Sequence, residues 1–296
     1  MLKKVLNKTL STLMKGCNEL DCSEASTNLK RGKQFKNCAV KRLNYYWRLA
    51  ATGLSFCLFG AVGILFWGLL FPLIAPFLGN GLQKKRRSRR IMQYIFRLYM
   101  DFMRGIGILN YEVHGGEHIN TPGNLVVANH PSLLDVVFLI SQIRNATCIV
   151  KPALANNPCM RIPIRAMGYI YAEESEALLE HCAQELREGA ILIIFPEGTR
   201  TTPGKPFKFQ RGAAAIALQA DADMLPITIR CSPTTLTKQE KWYQIPQKKF
   251  TLQLDVGDHI RLSPIVDNAS RSLATRRVTR YLEQYFIEQL AHHGKS

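Results

Sequence analysis

Residues 125–135 read LVVANHPSLLD, and this stretch decides how the middle of the chain folds. Leu125–Ala128 is a short apolar run of the kind that forms a buried strand. Pro131 favours the first turn of a helix, because the N–H that proline lacks would have no partner there. The stretch therefore predicts a strand that leads directly into a helix, with His130 on the turn between them.

His130 and Asp135 are candidates for a proton-transfer pair. On a regular helix two residues five positions apart lie roughly 140° apart, so the two can meet only if His130 folds back over the first helical turn. An aspartate that accepts from one imidazole nitrogen fixes the tautomer, which leaves the other nitrogen free to take a proton. His-x4-Asp alone is a weak pattern, for which a surface or capping histidine is the commoner explanation.

A second candidate segment, residues 195–200, reads FPEGTR and follows an apolar run at residues 190–194. Ligands of open α/β sheets bind at the carboxyl ends of strands, which is where this segment would lie. Gly198 permits a sharp turn, Arg200 offers a fork of donors for phosphate or carboxylate, and Glu197 is a candidate acceptor for a substrate hydroxyl. A structural turn with an internal Glu197–Arg200 pair is the alternative.

Short apolar runs alternate with helical stretches from residue 111 onward, which predicts an α/β fold. The predicted strands are residues 125–128, 147–150, 190–195, 225–229 and 250–256. The predicted helices are residues 175–188, 212–220 and 270–292. The predicted fold class is therefore α/β, with a mixed central sheet flanked by helices and preceded by an N-terminal membrane-embedded helical segment.

The membrane segment is predicted from a long run without charge. Residues 49–83 contain no charged residue, and residues 49–78 exceed the ~20 apolar residues that cross a bilayer. Pro72 and Pro76 should interrupt the helix in its second half. Basic residues flank both ends, which fits a re-entrant hairpin with both ends cytosolic or a tight monotopic insertion. A single crossing is the alternative, and it too would leave the C-terminal part on the cytosolic side.

The formal net charge of +17 is concentrated near the N-terminus, where residues 1–110 carry 19 Lys and Arg against four acidic residues. Such a bias indicates nucleic acid or an anionic membrane surface, and the adjoining apolar run favours the membrane. The eight cysteines are scattered without zinc-ligand spacing, so free thiols and no metal site are expected. Composition divides the chain into a basic leader at 1–48, either interfacial or poorly ordered, a membrane-embedded and amphipathic helical region at 49–107, and a main domain at 108–296.

Together these pieces resemble the glycerolipid acyltransferases, the His-x4-Asp enzymes that include 1-acylglycerol-3-phosphate acyltransferase. The resemblance covers residues 110–235 and rests on four segments in order, residues 129–135, 195–200, 207–212 and 225–227. By this resemblance His130 is the general base, Asp135 orients it, and Pro226 shapes the acyl-binding wall. The resemblance also assigns acceptor binding to Glu197, Gly198, Thr199 and Arg200.

The resemblance implies a membrane-bound acyltransferase that moves a fatty acyl group from a thioester donor, acyl-CoA or acyl-carrier protein, to a lysolipid hydroxyl. No cofactor beyond that co-substrate is expected. The implied partners are the membrane lipid acceptor, the acyl donor and an anionic membrane surface, with no nucleic acid, and the catalytic domain is expected on the cytoplasmic face. Two alternatives stay open, a membrane adaptor without catalysis and a lipid hydrolase that uses water as acceptor.

The implied mechanism needs no protein nucleophile, because His130 would activate the acceptor hydroxyl directly. Backbone N–H groups at the start of the following helix are the expected donors to the oxyanion. One departure concerns residues 168–174, which read GYIYAEE where the family usually places an Arg that helps bind phosphate. The acidic replacement weakens the case for lysophosphatidic acid as acceptor, unless Lys151, Arg161 and Arg165 compensate.

Overall fold

A mixed sheet lies at the centre of the fold. A computed structural model describes residues 28–156, 158–172, 175–202 and 207–292, and in this part of the chain seven strands form the sheet. The strands are β1 Leu109–His114, β2 Leu125–Ala128, β3 Ala146–Val150, β4 Ile170–Tyr171, β5 Ile191–Ile194, β6 Met224–Ser232 and β7 Phe250–Val256. They lie in the order β1-β7-β6-β2-β5-β3-β4, and neighbours are parallel except β6 and β7. The predicted mixed α/β fold is confirmed.

Two of the strands, β1 and β4, are not predicted from the sequence. β4 has two residues, which is too short to show any periodicity. β1 begins soon after a helix, and its side chains after Leu109 are half-buried or exposed, so the apolar signal is weak. Residues 1–27 of the predicted leader lie outside the described residues, and so do Glu173 and Glu174, the acidic residues that replace the family's Arg.

Helices lie on both sides of the sheet and before it. They are α1 Asn28–Leu65, α2 Phe71–Ile74, α3 Gly81–Gly105, α4 Asp135–Gln142, α5 Pro158–Met167, α6 Glu176–Arg187, α7 Gly212–Ala220, α8 Ser263–Val266 and α9 Arg271–His292. A π-turn at Phe66–Leu70 separates α1 from α2, and short 3₁₀ turns occupy Ala75–Leu78, Gly116–His118 and Pro152–Asn156. The three helices predicted in the main domain correspond to α6, α7 and α9.

Strand β2 is buried along its whole length. Leu125 and Val127 belong to the core on the side of α6, α7 and α9, whereas Val126 and Ala128 belong to the core on the side of α3 and α4. Successive side chains of a strand point to opposite faces, so a strand covered on both faces must be apolar throughout. This burial explains why residues 125–128 form an unbroken apolar run instead of an alternating one.

The chain divides into two compact units, Met1–Trp47 and Arg48–Ser296. In the first unit the described residues 28–47 are helical, and the rings of Tyr45 and Tyr46 lie edge to face with their centroids 5.8 Å apart. The second unit contains the sheet, the helices on both of its faces and the rest of α1.

The long apolar helix predicted before the main domain is present. Among the described residues, Val40–Leu78 is the one span long and apolar enough to cross a bilayer, with a mean hydropathy of 2.3 and 11% of its apolar window buried. Regular α-helix is interrupted in the second half of the span, where Pro72 lies in the first turn of α2 and Pro76 in the first turn of the 3₁₀ segment. The interruption agrees with the effect expected of the two prolines.

The chain then reverses, and α3 packs back against α1. The turn is at Gly79, whose φ of 82° suits glycine. The phenol of Tyr99 on α3 donates to the Ser55 carbonyl over 3.2 Å, and its ring centroid lies 5.1 Å from that of Phe59. The apolar span and α3 therefore form a helical hairpin.

Three basic residues at the start of α3 bind the α/β domain. Arg89 is fully buried, with Nη2 2.7 Å from Glu185 Oε2 and Nε donating to the Met167 carbonyl over 2.8 Å. Lys85 Nζ lies 2.6 Å from the other Glu185 oxygen, and Arg86 donates to a carbonyl just after α6. Lys85, Arg86 and Arg89 belong to the basic residues that follow the apolar run, and all three are bound to protein groups.

Candidate active site

The two candidate segments meet at one edge of the sheet. β2 and β5 are parallel neighbours, with Val127 beside Ile194, so their carboxyl ends lie at the same edge. β2 leads into His130 and β5 leads into Glu197, and the two are hydrogen-bonded although 67 positions separate them. This is the edge at which open α/β sheets bind ligands.

His130 and Asp135 form a hydrogen-bonded pair. His130 Nδ1 lies 2.8 Å from Asp135 Oδ2, and the same oxygen accepts from the Ser132 N–H over 2.6 Å. Asp135 is fully buried, whereas the His130 side chain is 16% exposed. An ionised Asp135 accepts a hydrogen bond from the His130 Nδ1–H, and Nε2 then carries the lone pair that can take a proton from a ligand.

The helix after His130 begins later than the sequence predicts. Residues 131–134 form a turn, and α4 starts at Asp135 itself, so Pro131 does not open the helix. The turn folds the His130 ring back over Asp135. Its N–H groups are already used, because Ser132 N donates to Asp135 and Leu133 N donates to Leu236 O. Two N–H groups of this turn are therefore engaged, and the role of the first N–H groups of α4 in stabilising the oxyanion stays a prediction.

Two carboxyl groups near His130 have raised pKa values. Burial raises the pKa of Asp135, while the hydrogen bonds from His130 and Ser132 act in the opposite direction. Burial likewise raises the pKa of Glu197, against hydrogen bonds from Thr201 and from the His130 N–H. Perturbed carboxyl groups of this kind are typical of functional sites.

Glu197 and Thr201 hold the backbone of His130 from both sides. The His130 N–H donates to Glu197 Oε1 over 3.0 Å, and the Thr201 N–H donates to the His130 carbonyl over 2.7 Å. The Thr201 hydroxyl donates to the same Glu197 oxygen over 2.7 Å. One oxygen of Glu197 thus positions His130, which differs from the predicted contact with a substrate hydroxyl. Thr201 is missing from the predicted site, although a hydroxyl residue directly after the FPEGTR segment was a visible signal.

The His130 ring and the preceding residue are also fixed. The ring stacks on Phe195, with centroids 4.4 Å apart and planes 27° apart. Asn129 is buried, and its side chain donates to the Ile229 carbonyl over 2.8 Å and accepts from the Ile229 N–H over 2.7 Å. The Asn129 amide thereby continues the pairing of β2 with β6 beyond the end of the strand. Neither role is visible in the spacing of the sequence.

The remaining residues of the FPEGTR segment form an exposed turn and an anchor. Gly198 has a φ of 64°, and a Cβ there would lie 2.6 Å from Nε2 of the exposed Gln210, so a larger residue would be strained and would displace the Gln210 side chain. Gly198 and Thr199 are exposed. Arg200 Nη1 donates to the carbonyls of Leu236 and Thr237, over 2.9 Å each. Arg200 therefore anchors the loop after β6, and no internal Glu197–Arg200 pair forms.

Pro226 lies away from the helix that carries Asp135. It is buried in β6 beside Val127. Its neighbours Leu225 and Ile227 belong to the core on the α3 and α4 side, so Pro226 faces the other side of the sheet. The predicted role of Pro226 in an acyl-binding wall has no support in this placement.

An apolar cavity lies beside Leu134, the residue before Asp135. Arg48, Thr52 and Ser55 of α1 contribute to its wall. The other lining residues are Phe56, Tyr99, Met103, Ile108, Leu134, Thr235, Leu236, Ile245, Pro246 and Phe250. The cavity therefore joins the apolar helix, α3 and the loop after β6 next to the His130–Asp135 pair.

The sequence and the fold of this chain are similar to those of known acyltransferases. Residues 110–230 match the Acyltransferase family model. The solved structure of the 1-acyl-sn-glycerophosphate (LPA) acyltransferase PlsC from Thermotoga maritima superposes with a TM-score of 0.63 at 22% identity, over 83% of this chain and 97% of that one. This likeness concerns the fold.

Relatives in sequence carry the same kind of name. The 1-acyl-sn-glycerol-3-phosphate acyltransferase of Pseudomonas aeruginosa is 30% identical over 54% of this chain and 63% of its own length. The enzyme of that name from Helicobacter pylori is 28% identical over 55% of this chain and 67% of its own length. This chain thus spans less than two thirds of the Pseudomonas relative. Residues 110–230 therefore match the Acyltransferase family model, in agreement with the resemblance found in the sequence.

Proposed function

We propose that the chain is a membrane-associated O-acyltransferase that moves a fatty acyl group from a thioester donor, acyl-CoA or acyl-carrier protein, to the hydroxyl of a lysolipid. One observation carries the proposal, the 2.8 Å bond between His130 Nδ1 and the buried Asp135 at the carboxyl edge of the sheet. The relatives that match this chain are named for acylation of 1-acyl-sn-glycerol-3-phosphate, which supports the same reaction class.

The proposed reaction begins with proton transfer to His130. Nε2 takes the proton of the acceptor hydroxyl while the oxygen attacks the thioester carbonyl carbon. Asp135 stabilises the imidazolium that forms. The tetrahedral intermediate then expels the thiolate, which takes the proton back from His130. The C–O bond replaces the C–S bond, and no acyl-enzyme forms.

We place the acceptor against the exposed turn of the FPEGTR segment. Gly198 and Thr199 lie exposed on that turn, beyond the Glu197 oxygen that holds His130. Arg200 supports the turn from behind through its bonds to the loop after β6. The turn and the His130 ring then hold one hydroxyl between them.

Positive charge near the same edge suits an anionic headgroup. Lys151 directly follows β3, which is parallel to β5, and it is exposed. Arg161 and Arg165 are exposed four positions apart on α5, so they share one helix face. These three cations support a phosphate-bearing lysolipid such as 1-acyl-sn-glycerol-3-phosphate. A lysolipid with less negative charge is the second candidate, and it is favoured by the acidic residues Glu173 and Glu174.

The membrane supplies the acceptor in this proposal. The apolar span Val40–Leu78 lies in the bilayer as one arm of the hairpin, and α3 returns along the α/β domain. The basic residues before and after the span support a cytoplasmic face for the domain.

Labelled acyl-CoA and acyl-carrier protein should be offered to the purified protein in vesicles that contain one lysolipid at a time. Lysophosphatidic acid and neutral or zwitterionic lysolipids form the panel, and His130→Ala is compared with His114→Ala, an exposed histidine on β1. Acylated lysolipid formed by wild type and His114→Ala only is the expected result. Release of free fatty acid without acylated lipid would identify a hydrolase, and transfer to no acceptor would favour an adaptor.

A further inference from the structure

The loop between β6 and β7 is far longer than its connection requires. β6 and β7 are antiparallel neighbours, and such a pair needs only roughly two to five connecting residues. Residues 233–249 join them without a helix or a strand, and we call this segment the Trp242 loop. Loops of this length in compact domains usually serve a function.

One part of the Trp242 loop is bound to the candidate active site. The Leu236 carbonyl accepts from the Leu133 N–H over 3.2 Å, three positions after His130. Arg200 donates to the same Leu236 carbonyl and to that of Thr237. The position of this part of the loop is therefore coupled to the turn that follows His130.

Another part of the loop lies on the apolar helix. Trp242 packs over Gly53, where a Cβ would lie 3.3 Å from the indole ring, and its ring centroid is 6.4 Å from that of Phe56. The buried guanidinium of Arg48 donates to the Pro246 carbonyl over 3.0 Å. The loop thus crosses α1 just after Arg48, the last charged residue before the apolar run.

The exposed surface of the Trp242 loop combines an aromatic ring with positive charge. Trp242 remains 49% exposed, and Leu54, which follows Gly53 on α1, is 61% exposed. Four exposed lysines belong to the loop, Lys238, Lys241, Lys248 and Lys249. Its one acidic residue, Glu240, accepts from the Thr237 N–H over 3.0 Å. Tryptophan beside lysine is typical of protein surfaces at the headgroup level of a bilayer, and clustered lysines attract anionic lipids.

We infer that the Trp242 loop is a second membrane-contact surface, in which Trp242 lies among the lipid headgroups and the four lysines bind anionic lipid. The surface of the Trp242 loop continues the exposed apolar face of α1, and this continuity identifies a bilayer as the partner that covers both. Because the loop also holds Leu133 and Arg200, its contact with the bilayer fixes the height of the candidate active site above the lipid surface. The inference rests on the proposed function only in placing α1 in the membrane.

Fluorescence quenching by brominated lipid tests the position of Trp242. Wild type and Trp242→Phe should be reconstituted at full length in vesicles of phosphatidylcholine and phosphatidylglycerol, with bromines at shallow, middle or deep acyl positions. The difference between the two emissions isolates Trp242 from Trp47 and Trp67, and it should be quenched most by the shallow bromines. A difference emission that no bromolipid quenches would overturn the inference.

Charge removal tests the lysines, with a matched control on another face. Lys241→Gln/Lys248→Gln/Lys249→Gln is compared with Arg261→Gln/Arg276→Gln/Arg280→Gln, which removes equal charge from exposed positions near and on α9. The loop variant should weaken shallow quenching of Trp242 and raise the apparent KM for vesicle-borne lysolipid at least about 5-fold, the loss of roughly one lysine–lipid contact. Detergent micelles should abolish that KM difference. Equal behaviour of the two variants would contradict the role of the lysines.

Quenching does not depend on acyl transfer, so the two proposals fail separately. Shallow quenching of Trp242 in a protein without transferase activity would leave the membrane surface standing and refute the proposed function. Full activity with unquenched Trp242 would support the proposed function and refute the membrane-contact surface. Trp242 emission that changes with protein concentration but not with bromolipid would indicate a second copy of the chain as the occupant, and would also overturn the inference.

Discussion

Two buried ion pairs of this chain differ in how fully they are satisfied. Glu185 has Arg89 on one oxygen and Lys85 on the other, and Arg89 also binds backbone carbonyls. Asp135 has His130 and a backbone N–H on Oδ2, while its buried Oδ1 has no hydrogen-bond partner among the described residues. Burial raises the pKa of Glu185, but Arg89 and Lys85 outweigh it and the pKa is lowered. The pKa of Asp135 is raised, because burial outweighs its partners.

The difference separates a pair that stabilises the fold from the pair to which we assign proton transfer. The guanidinium of Arg89 is bonded to Glu185 and to two backbone carbonyls, so this pair holds α3 against α6. The imidazole of His130 has nitrogens that can either donate or accept a proton, and its partner is a buried carboxylate whose Oδ1 has no hydrogen-bond partner among the described residues. A pair with an exchangeable proton and incomplete bonding suits proton transfer, whereas a fully bonded pair suits stability.

Replacing His130 should have the largest effect. Without the imidazole no group takes the proton of the acceptor hydroxyl, and His130→Ala should lose about 10⁴-fold in transfer rate, or roughly 5.5 kcal/mol of transition-state stabilisation. Initial rates with labelled acyl donor measure this loss. The melting temperature should change by no more than a few degrees. A rate within tenfold of wild type would refute the general-base role.

Breaking the structural pair should lower stability instead. Arg89→Met leaves Glu185 buried with one cation fewer, and it should cost about 3–5 kcal/mol of unfolding free energy. Thermal unfolding in detergent measures the change. Lys84→Met, at the neighbouring end of α3, should cost less than about 1 kcal/mol. If both variants melt alike, the buried pair does not stabilise the junction.

Loosening the His130 backbone should produce an intermediate effect. Thr201→Val removes the hydroxyl that bonds Glu197, a bond worth about 1.5 kcal/mol, and the transfer rate should fall roughly 10-fold with little change in KM. Thr201→Ser keeps the hydroxyl and should restore most of the rate. A fall that serine does not rescue would assign the effect to packing.

The contributions of Glu185 and Glu197 to the free energy of unfolding should change with pH in opposite directions. Since the pKa of Glu185 is lowered on folding, its stabilisation is present above the unfolded pKa near 4.3 and is lost as pH falls through the folded value. Since the pKa of Glu197 is raised, its ionisation opposes folding, and Glu197→Gln should gain relative to wild type as pH rises through that folded pKa.

Melting curves between pH 3.5 and 7 measure both trends. The advantage of wild type over Glu185→Gln should shrink toward low pH, whereas the relative melting temperature of Glu197→Gln should rise by about 2–4 °C or less toward neutral pH. Parallel pH curves for the two variants would contradict the assigned pKa directions.

Local patterns predict much of this fold because their causes are local. The apolar run of residues 125–128 predicts β2, and the apolar span with its two prolines predicts an interrupted helix. β4 is not predicted, because two residues carry no period. The start of α4 is predicted too early. The Ser132 N–H donates to the buried Asp135 and the Leu133 N–H donates to the Leu236 carbonyl, and these two bonds hold residues 131–134 in a turn.

The sequence by itself determined the fold class, the long apolar helix and the two segments that meet at the sheet edge, since apolar periodicity and strand-end placement are properties of neighbouring residues. Only the tertiary structure decided what the side chains bind. Glu197 and Thr201 hold His130, Arg200 anchors the Trp242 loop, and Arg89 lies buried against Glu185. These contacts join positions 36 to 96 residues apart, and their geometry exists only once the parallel strands have brought their carboxyl ends together.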